Sequence, residues 1–412
     1  MRAGLCTVAL VWVAATPATG GTEPAPRADA TLAMALAAAV PADGTSDVVL
    51  VEMPFTPRAP HVWAATPVAA PPATVKAVLL DPAHYRAVVP GLVRAELHAE
   101  PGGAASSSAA SRKIVDWELE VPLVNLSGRV AVSDRGDGVD VEMLSGDLAP
   151  GRIRFTISPR AGGATVVADA QLDIEHSSWL LRRIMARSPV GQPAALLASA
   201  YVALRAVALR AEHPADPRAW RPTAAMTPPP SWRPDANPLG APALEALRAR
   251  GPLGLVARAP TGRLGGVAMV VSVEKPIDFL AARLRDPESW HAFPGWHTVR
   301  SRPGPYGTGA EVEDNLPLAD FDATWLAEPG PLPRWTASAG ETQGARLGWE
   351  LFPGGGPRTL TALLIYPRLE TTGRLARRSV ASEPLLEHAL AAALAFADST
   401  AVKTALESTR GP

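Results

Sequence analysis

The chain has 412 residues, 39 Lys plus Arg against 40 Asp plus Glu, a formal net charge of −1 and one cysteine. Length alone allows about two to three domains. The charge balance argues against nucleic acid as the main partner, which calls for a basic excess. The lone Cys6 excludes an internal disulfide and a cysteine-based zinc site.

Met1 to about Gly20 reads as a secretory signal. Arg2 supplies a short positive region. Ala3 to Ala15 is apolar but too short to span a bilayer, and Ala18-Thr19-Gly20 offers small residues for cleavage. The expected location is therefore outside the cytoplasm, periplasmic or extracellular; the competing reading is an apolar N-terminal helix of a cytosolic protein. No other segment reads as long and apolar enough to cross a membrane. Residues 21–59 read as an N-terminal extension, with a short helix over Thr31–Ala39 on propensity. Pro54, Pro57 and Pro60 then carry the chain, extended, into a first domain.

That domain spans residues 60–212. An apolar run from His61 to Val68 is followed by Pro71-Pro72, where a helix can begin. Val75, Val78 and Leu79 repeat at helical spacing. Asp81-Pro82 stops this helix, because the residue before a proline is pushed out of the α region. Tyr85, Val88 and Val89 form a second short helix, closed by Pro90-Gly91. Strands follow with period two. Leu92 to Ala99 comes first, and then Val115, Trp117, Leu119 and Val121 share one face while Asp116, Glu118 and Glu120 share the other. Arg135-Gly-Asp-Gly138 and Gly162-Gly163 mark hairpin turns. They punctuate strands carrying Leu126 and Val130, Val139 and Met143, Ile153 and Phe155, and Val166 to Ile174. A long helix closes the domain, interrupted at Ser188 to Pro193, with Leu197, Tyr201 and Leu204 on one face.

Residues 213–261 read as a proline-rich linker of semi-rigid composition, holding Trp220 and Trp232. Residues 262–410 then repeat the plan. Val270 to Glu274 is apolar, Pro276 opens a helix with Ile277, Leu280 and Leu284, and Asp286-Pro287 breaks it. Trp290 stands where Tyr85 stood, and Pro294-Gly295 closes the unit. Five strand candidates run from Ala310 to Pro367, and a helix from about Thr372 to Ser408 carries Leu386, Leu390 and Leu394. An internal repeat of this length points to two copies of one domain.

The run Pro72…Asp81-Pro82…Tyr85…Pro90-Gly91 and its copy Pro276…Asp286-Pro287…Trp290…Pro294-Gly295 resemble the opening of the START-like, or Bet v 1-like, helix-grip superfamily, in particular its bacterial polyketide cyclase/dehydrase-like members. The resemblance implies an α+β fold of two tandem helix-grip domains, each a curved antiparallel sheet wrapped around a long C-terminal helix. It also implies an apolar cavity for a lipid, sterol, polyketide or other hydrophobic molecule. Some members are cyclases or aromatases, and fold alone does not choose among these activities.

Catalytic motifs are few. The sequence has no His-Glu-x-x-His, P-loop, dinucleotide fingerprint or Gly-x-Ser-x-Gly elbow. His291 and His297 flank a break without a third ligand; Asp320 and Asp322, two apart with Asp314 nearby, read either as paired carboxylates for acid–base work or as the wet face of a sheet, and Glu350, between Trp349 and Leu351, reads as exposed. The expected ligand walls are apolar: Tyr85, Trp117, Leu119, Met143, Phe155, Leu197 and Tyr201 in the first copy, and Trp290, Phe321, Trp325, Trp335, Trp349, Leu386 and Leu390 in the second. A plain core has the same composition as a pocket. The expected function is non-catalytic binding of a hydrophobic small molecule, without a cofactor or nucleic acid; contact with a membrane surface and the oligomeric state stay open. The alternatives are a cyclase or aromatase acting on a polyketide-like substrate, and a protein-interaction module whose cavities are filled.

Overall fold

The computed structural model describes residues 30–53, 60–98, 112–121, 124–172, 190–215, 246–259, 262–293, 296–316, 319–330, 333–353, 359–366 and 385–409. The fold is α+β with a large antiparallel sheet. Helix α1 (Ala30–Ala39) leads into β1 (Ser46–Val51) and β2 (His61–Val68). Helix α2 (Pro72–Leu79), a 3-10 turn (Pro82–His84) and α3 (Tyr85–Val88) come next. Strands β3 (Leu92–Leu97), β4 (Lys113–Val121), β5 (Val124–Asp134), β6 (Gly138–Gly146), β7 (Gly151–Arg160) and β8 (Gly163–Leu172) form a meander, and α4 (Gly191–Glu212) ends the first half.

The second half repeats this order. It comprises β9 (Leu253–Arg258), β10 (Leu264–Val273), α5 (Ile277–Arg285), a 3-10 turn (Pro287–Ala292), β11 (Trp296–Gly304), β12 (Gly307–Leu316), β13 (Ala319–Ala327), β14 (Arg334–Gly340), β15 (Arg346–Pro353), β16 (Thr359–Tyr366) and α6 (Leu385–Ser408). Each Asp-Pro pair acts as expected. Asp81 and Asp286 sit at the N-terminal ends of the two 3-10 turns, and the following proline occupies the first turn.

The halves do not stand apart on a linker. Their strands form one sixteen-stranded sheet in the order β11-β12-β13-β14-β15-β16-β10-β9-β1-β2-β8-β7-β6-β5-β4-β3. The seam is β1 against β9, antiparallel, with Val49 opposite Gly254. Two elements thus lie in stretches whose composition reads as extension and linker. The register of each seam strand on its neighbour is matched, Val48 opposite Ala65 in one half and Leu253 opposite Val270 in the other. A Cβ on Gly254 would lie 2.6 Å from Val49 Cγ2 and 2.7 Å from Met269 Cε, so these side chains would have to shift to admit any larger residue.

Helices α4 and α6 lie on the same face of the central strands, α4 across β2 and β8 and α6 across β10 and β16, and they pack on each other. A single apolar core therefore crosses the seam, holding Val49, Val62, Leu197 and Leu204 with Met269, Leu386 and Phe396. The opposite face is closed by α1 and Leu247, over Val48, Leu50, Trp63, Leu255 and Val270. Strands covered on both sides read as unbroken apolar runs.

One sequence reading needs correction. Helices α4 and α6, of 22 and 24 residues, are long and apolar enough to cross a membrane. Their apolar surface is mostly buried against the sheet and each other, the condition that makes a helix hydrophobic nearly all round. Residues 1–20, the stretch 173–189 preceding α4, Trp220 and Trp232, and the stretch 367–384 preceding α6 lie outside the described residues.

Candidate functional site: an apolar cleft beside Tyr85

The repeated Asp-Pro break does the same local work twice. In the first half the Tyr85 hydroxyl donates to the Leu79 carbonyl at the end of α2. In the second the Trp290 indole Nε1–H donates to the Leu284 carbonyl at 3.3 Å. Each ring ties the short second helix back to an orphan carbonyl of the first, one of the groups a helix end leaves unpaired.

Beyond that shared bond the two positions differ. Trp290, Trp335 and Trp349 are 0%, 2% and 1% exposed. Trp290 meets Trp335 edge to face, with centroids 4.7 Å apart, and Trp349 at 5.8 Å. Among the described residues the indole N–H groups of Trp335 and Trp349 find no hydrogen-bond partner. These three rings fill the interior beneath α5 together with Leu280, Leu284 and Phe293.

Tyr85 is only half-buried and borders a cleft of about 180 Å³ between α2, α3 and the last turns of α4. Val78, Val89 and Val207 supply apolar lining, and Thr74, Asp81 and Arg210 supply polar groups. Burial, and next the charge of Asp81, push the Tyr85 hydroxyl above its ordinary pKa, so it stays a neutral donor.

The other expected wall residues whose side chains are described are placed in or against the core. Trp117, Leu119, Phe155, Leu197 and Tyr201 are buried in the first cluster, with Met143 half-buried against it. Leu386 also belongs to that cluster, with Leu390 packed on it, so these residues of α6 serve the helix–helix junction. Trp325 packs, half-buried, on the tryptophan cluster. Phe321 lies in β13 opposite Asp314, and its side chain is outside the described residues. Trp117 lies against Gly128, its cross-strand partner, where a Cβ would come within 3.0 Å of the indole.

Tyr201 carries a role that helical spacing does not reveal. Its hydroxyl donates to Asp47 Oδ2 at 2.5 Å, while Thr66 Oγ1 donates to Asp47 Oδ1 at 2.6 Å. Arg205 donates to Thr66 at 2.9 Å, and Arg258 reaches Asp47 at 3.3 Å. Asp47, Thr66 and Tyr201 are fully buried. Burial alone raises the Asp47 carboxyl, but the charges of Arg258 and Arg205 and the two hydroxyl donors outweigh it and hold the group below its ordinary value. Burial, with the Asp47 charge second, pushes the Tyr201 hydroxyl well up. This network pins α4 to the seam, and its members come from both halves.

A second cluster sits where β1 ends and β2 begins. His61 Nε2 lies 2.5 Å from Asp169 Oδ1, its Nδ1 pairs with Glu52, and Arg250 Nε donates to Glu52 at 2.8 Å. Burial lowers the His61 pKa, but the Asp169 and Glu52 carboxylates outweigh it and raise it to about 9. Burial works the other way on Glu52, which His61 and Arg250 bring down to about 2. Both ring nitrogens are thus committed to carboxylates, and the imidazole stands as a fixed cation.

Among the described residues no group of three or more His, Cys, Asp or Glu could hold a metal ion. His291 is exposed, 3.5 Å from Glu288; the side chain of His297 is outside the described residues. Asp322 is exposed, whereas Glu350 is half-buried and accepts from Arg334 at 3.1 Å. Of the cleft residues, sequence reasoning singled out Tyr85 for the site and missed Arg210 and Val207. The helical period puts both on one face, three apart, but does not say what that face borders.

No family model matches the chain, and no curated protein matches it. Among solved structures it is similar to the di-domain ARO/CYC StfQ from the steffimycin biosynthetic pathway, at 11% identity and TM-score 0.26, over 83% of this chain and 99% of that one. It is also similar to a STAR-related lipid transfer protein from Xanthomonas axonopodis, at 19% identity and TM-score 0.26, over 39% of this chain and 95% of that one. Likeness at this level carries no argument about function.

Proposed function

We propose that the chain binds a small hydrophobic molecule in its first half, at the cleft beside Tyr85, and that the matching position of the second half serves packing. The observation that supports this reading is the divergence of two equivalent aromatic residues. Trp290 is sealed into a cluster with Trp335 and Trp349, whereas Tyr85 borders open space lined mainly by valine and alanine. A dry cavity of about 150 Å³ accepts benzene. A cleft of about 180 Å³ therefore suits a ring or short alkyl group rather than a whole drug-sized ligand, which calls for roughly 300 Å³ or more.

Ala77, an exposed α2 residue on the cleft lining, gives the test. Ala77→Trp adds an indole at the mouth without entering the core. Titration with the neutral single-ring probe benzyl alcohol, followed by ligand-observed NMR, should show binding weakened at least about tenfold, the loss expected when an apolar contact worth about 1.5 kcal/mol is blocked. Equal binding by parent and variant would remove the cleft from consideration. Native mass spectrometry of the protein from its host adds a direct search for a co-purified hydrophobic molecule.

For the second half, the filled-interior reading is favoured by its three packed tryptophans. Export is part of the same proposal: protein recovered from the host should lack residues 1 to about 20, and an intact Met1 in the cytosolic fraction would count against it.

A further inference from the structure

Arg210 sits in the last turn of α4, half-buried, on the same helix face as Val207, and both border the cleft. Its Nη1 donates to the Pro214 carbonyl. Among the described residues no carboxylate stands within ion-pair distance of it. Among the described residues several half-buried guanidinium groups have acidic partners: Arg154 has Asp140 at 2.9 Å, Arg263 has Glu387 at 2.6 Å, Arg334 has Glu350 at 3.1 Å and Arg258 has Asp47 at 3.3 Å; half-buried Arg160 instead spends one amino group on two backbone carbonyls, those of Pro41 and Ala42. Arg210 likewise serves a backbone carbonyl, but only one, and it does so at the edge of an apolar cleft. A guanidinium offers five donors in a planar fork that matches a carboxylate, and one backbone carbonyl occupies only part of that capacity.

Resting on the cleft reading above, we infer that the ligand is an organic monoanion, an aromatic or short-chain carboxylic acid. Its apolar part enters between Val78, Tyr85 and Val207, and its carboxylate accepts hydrogen bonds from Arg210. The cleft holds one other charge, Asp81, which is already engaged and lies close to Tyr85. One acid and one base on the lining accommodate a single negative charge placed at Arg210 and disfavour a second placed near Asp81. The small volume restricts the apolar part to about one benzene ring.

The test uses the full chain and two probes of matched shape, benzoate and benzyl alcohol, followed by ligand-observed NMR at low ionic strength. Benzoate should bind about tenfold or more tighter, the range for a charge-assisted hydrogen bond, and added salt should erode the preference. Arg210→Gln should remove the preference while leaving benzyl alcohol within about twofold of the parent, and Arg210→Lys should restore part of it. An unchanged melting temperature shows that Arg210→Gln still folds. Equal binding of the two probes by the parent, or a benzoate preference that survives Arg210→Gln, overturns the inference and leaves Arg210 as a cap on the Pro214 carbonyl only; the cleft itself then still stands on the neutral probe. Failure of both probes to bind, with Ala77→Trp also without effect, overturns the inference together with the reading it rests on.

Discussion

Trp290→Ala tests the contrast between the two halves most directly. The ring is fully buried and packs on Trp335 and Trp349. Truncating a buried aromatic costs about 3–5 kcal/mol through lost transfer energy and the cavity left behind. The edge-to-face contact with Trp335 adds about 0.5–1.5 kcal/mol, and loss of the N–H bond to the Leu284 carbonyl about 1 kcal/mol. These overlap, so the expected loss is about 4–5 kcal/mol. In urea unfolding followed by circular dichroism the midpoint should fall sharply, with a drop of about 5 °C on heating. Trp290→Phe keeps part of the packing and should lose about half as much. Neither variant should change the affinity of the neutral probe per folded molecule. A loss below about 1 kcal/mol, or a fall in probe affinity matching that of Ala77→Trp, would refute the assignment of the second-half ring to packing.

The seam and its flanking clusters give further outcomes. Gly254→Val should destabilise the protein by about 1–3 kcal/mol through overpacking against Val49 and Met269, and Val49→Ala in the same chain should recover part of it, as denaturant midpoints would show. The His61 cluster makes stability depend on pH with a definite sign. Because the folded His61 pKa is raised from 6.5 to about 9, its contribution is full below 6.5 and is lost as pH rises through about 9. Glu52, lowered from 4.5 to about 2, contributes fully above 4.5 and loses that contribution as pH falls through about 2. His61→Gln should lower stability at neutral pH by on the order of 2 kcal/mol and flatten the alkaline limb; a variant that keeps the parent's alkaline profile would contradict the pairing. Tyr201→Phe should cost about 1–3 kcal/mol by removing a donor from buried Asp47. Asp47→Ala should cost about 3–5 kcal/mol by stranding Arg205 and Arg258, and near-neutral effects in calorimetry would show that the network does not hold the seam.

What the sequence determined by itself was the repeating unit and its local chemistry. Proline in the first turn and Asp-Pro at the break act through backbone sterics, so the two short-helix units could be read from the spacing of Pro72, Asp81, Tyr85 and their copies. Alternation placed Val115, Trp117 and Leu119 on one buried face for the same local reason. Tertiary structure decided the rest. Strands β1 and β9 are short, and their pairing joins residues some two hundred positions apart, a contact that no local propensity reports. Tyr85 and Trp290 share a position, a spacing and a hydrogen bond, yet one borders a cleft and the other is sealed. The difference lies in Trp335 and Trp349, which reach Trp290 only once β14 and β15 are folded over it. Arg210 follows the same logic: its helix period fixes its direction relative to Val207, but only the approach of α2 and α3 to α4 turns that face into a cleft with a cation at its edge.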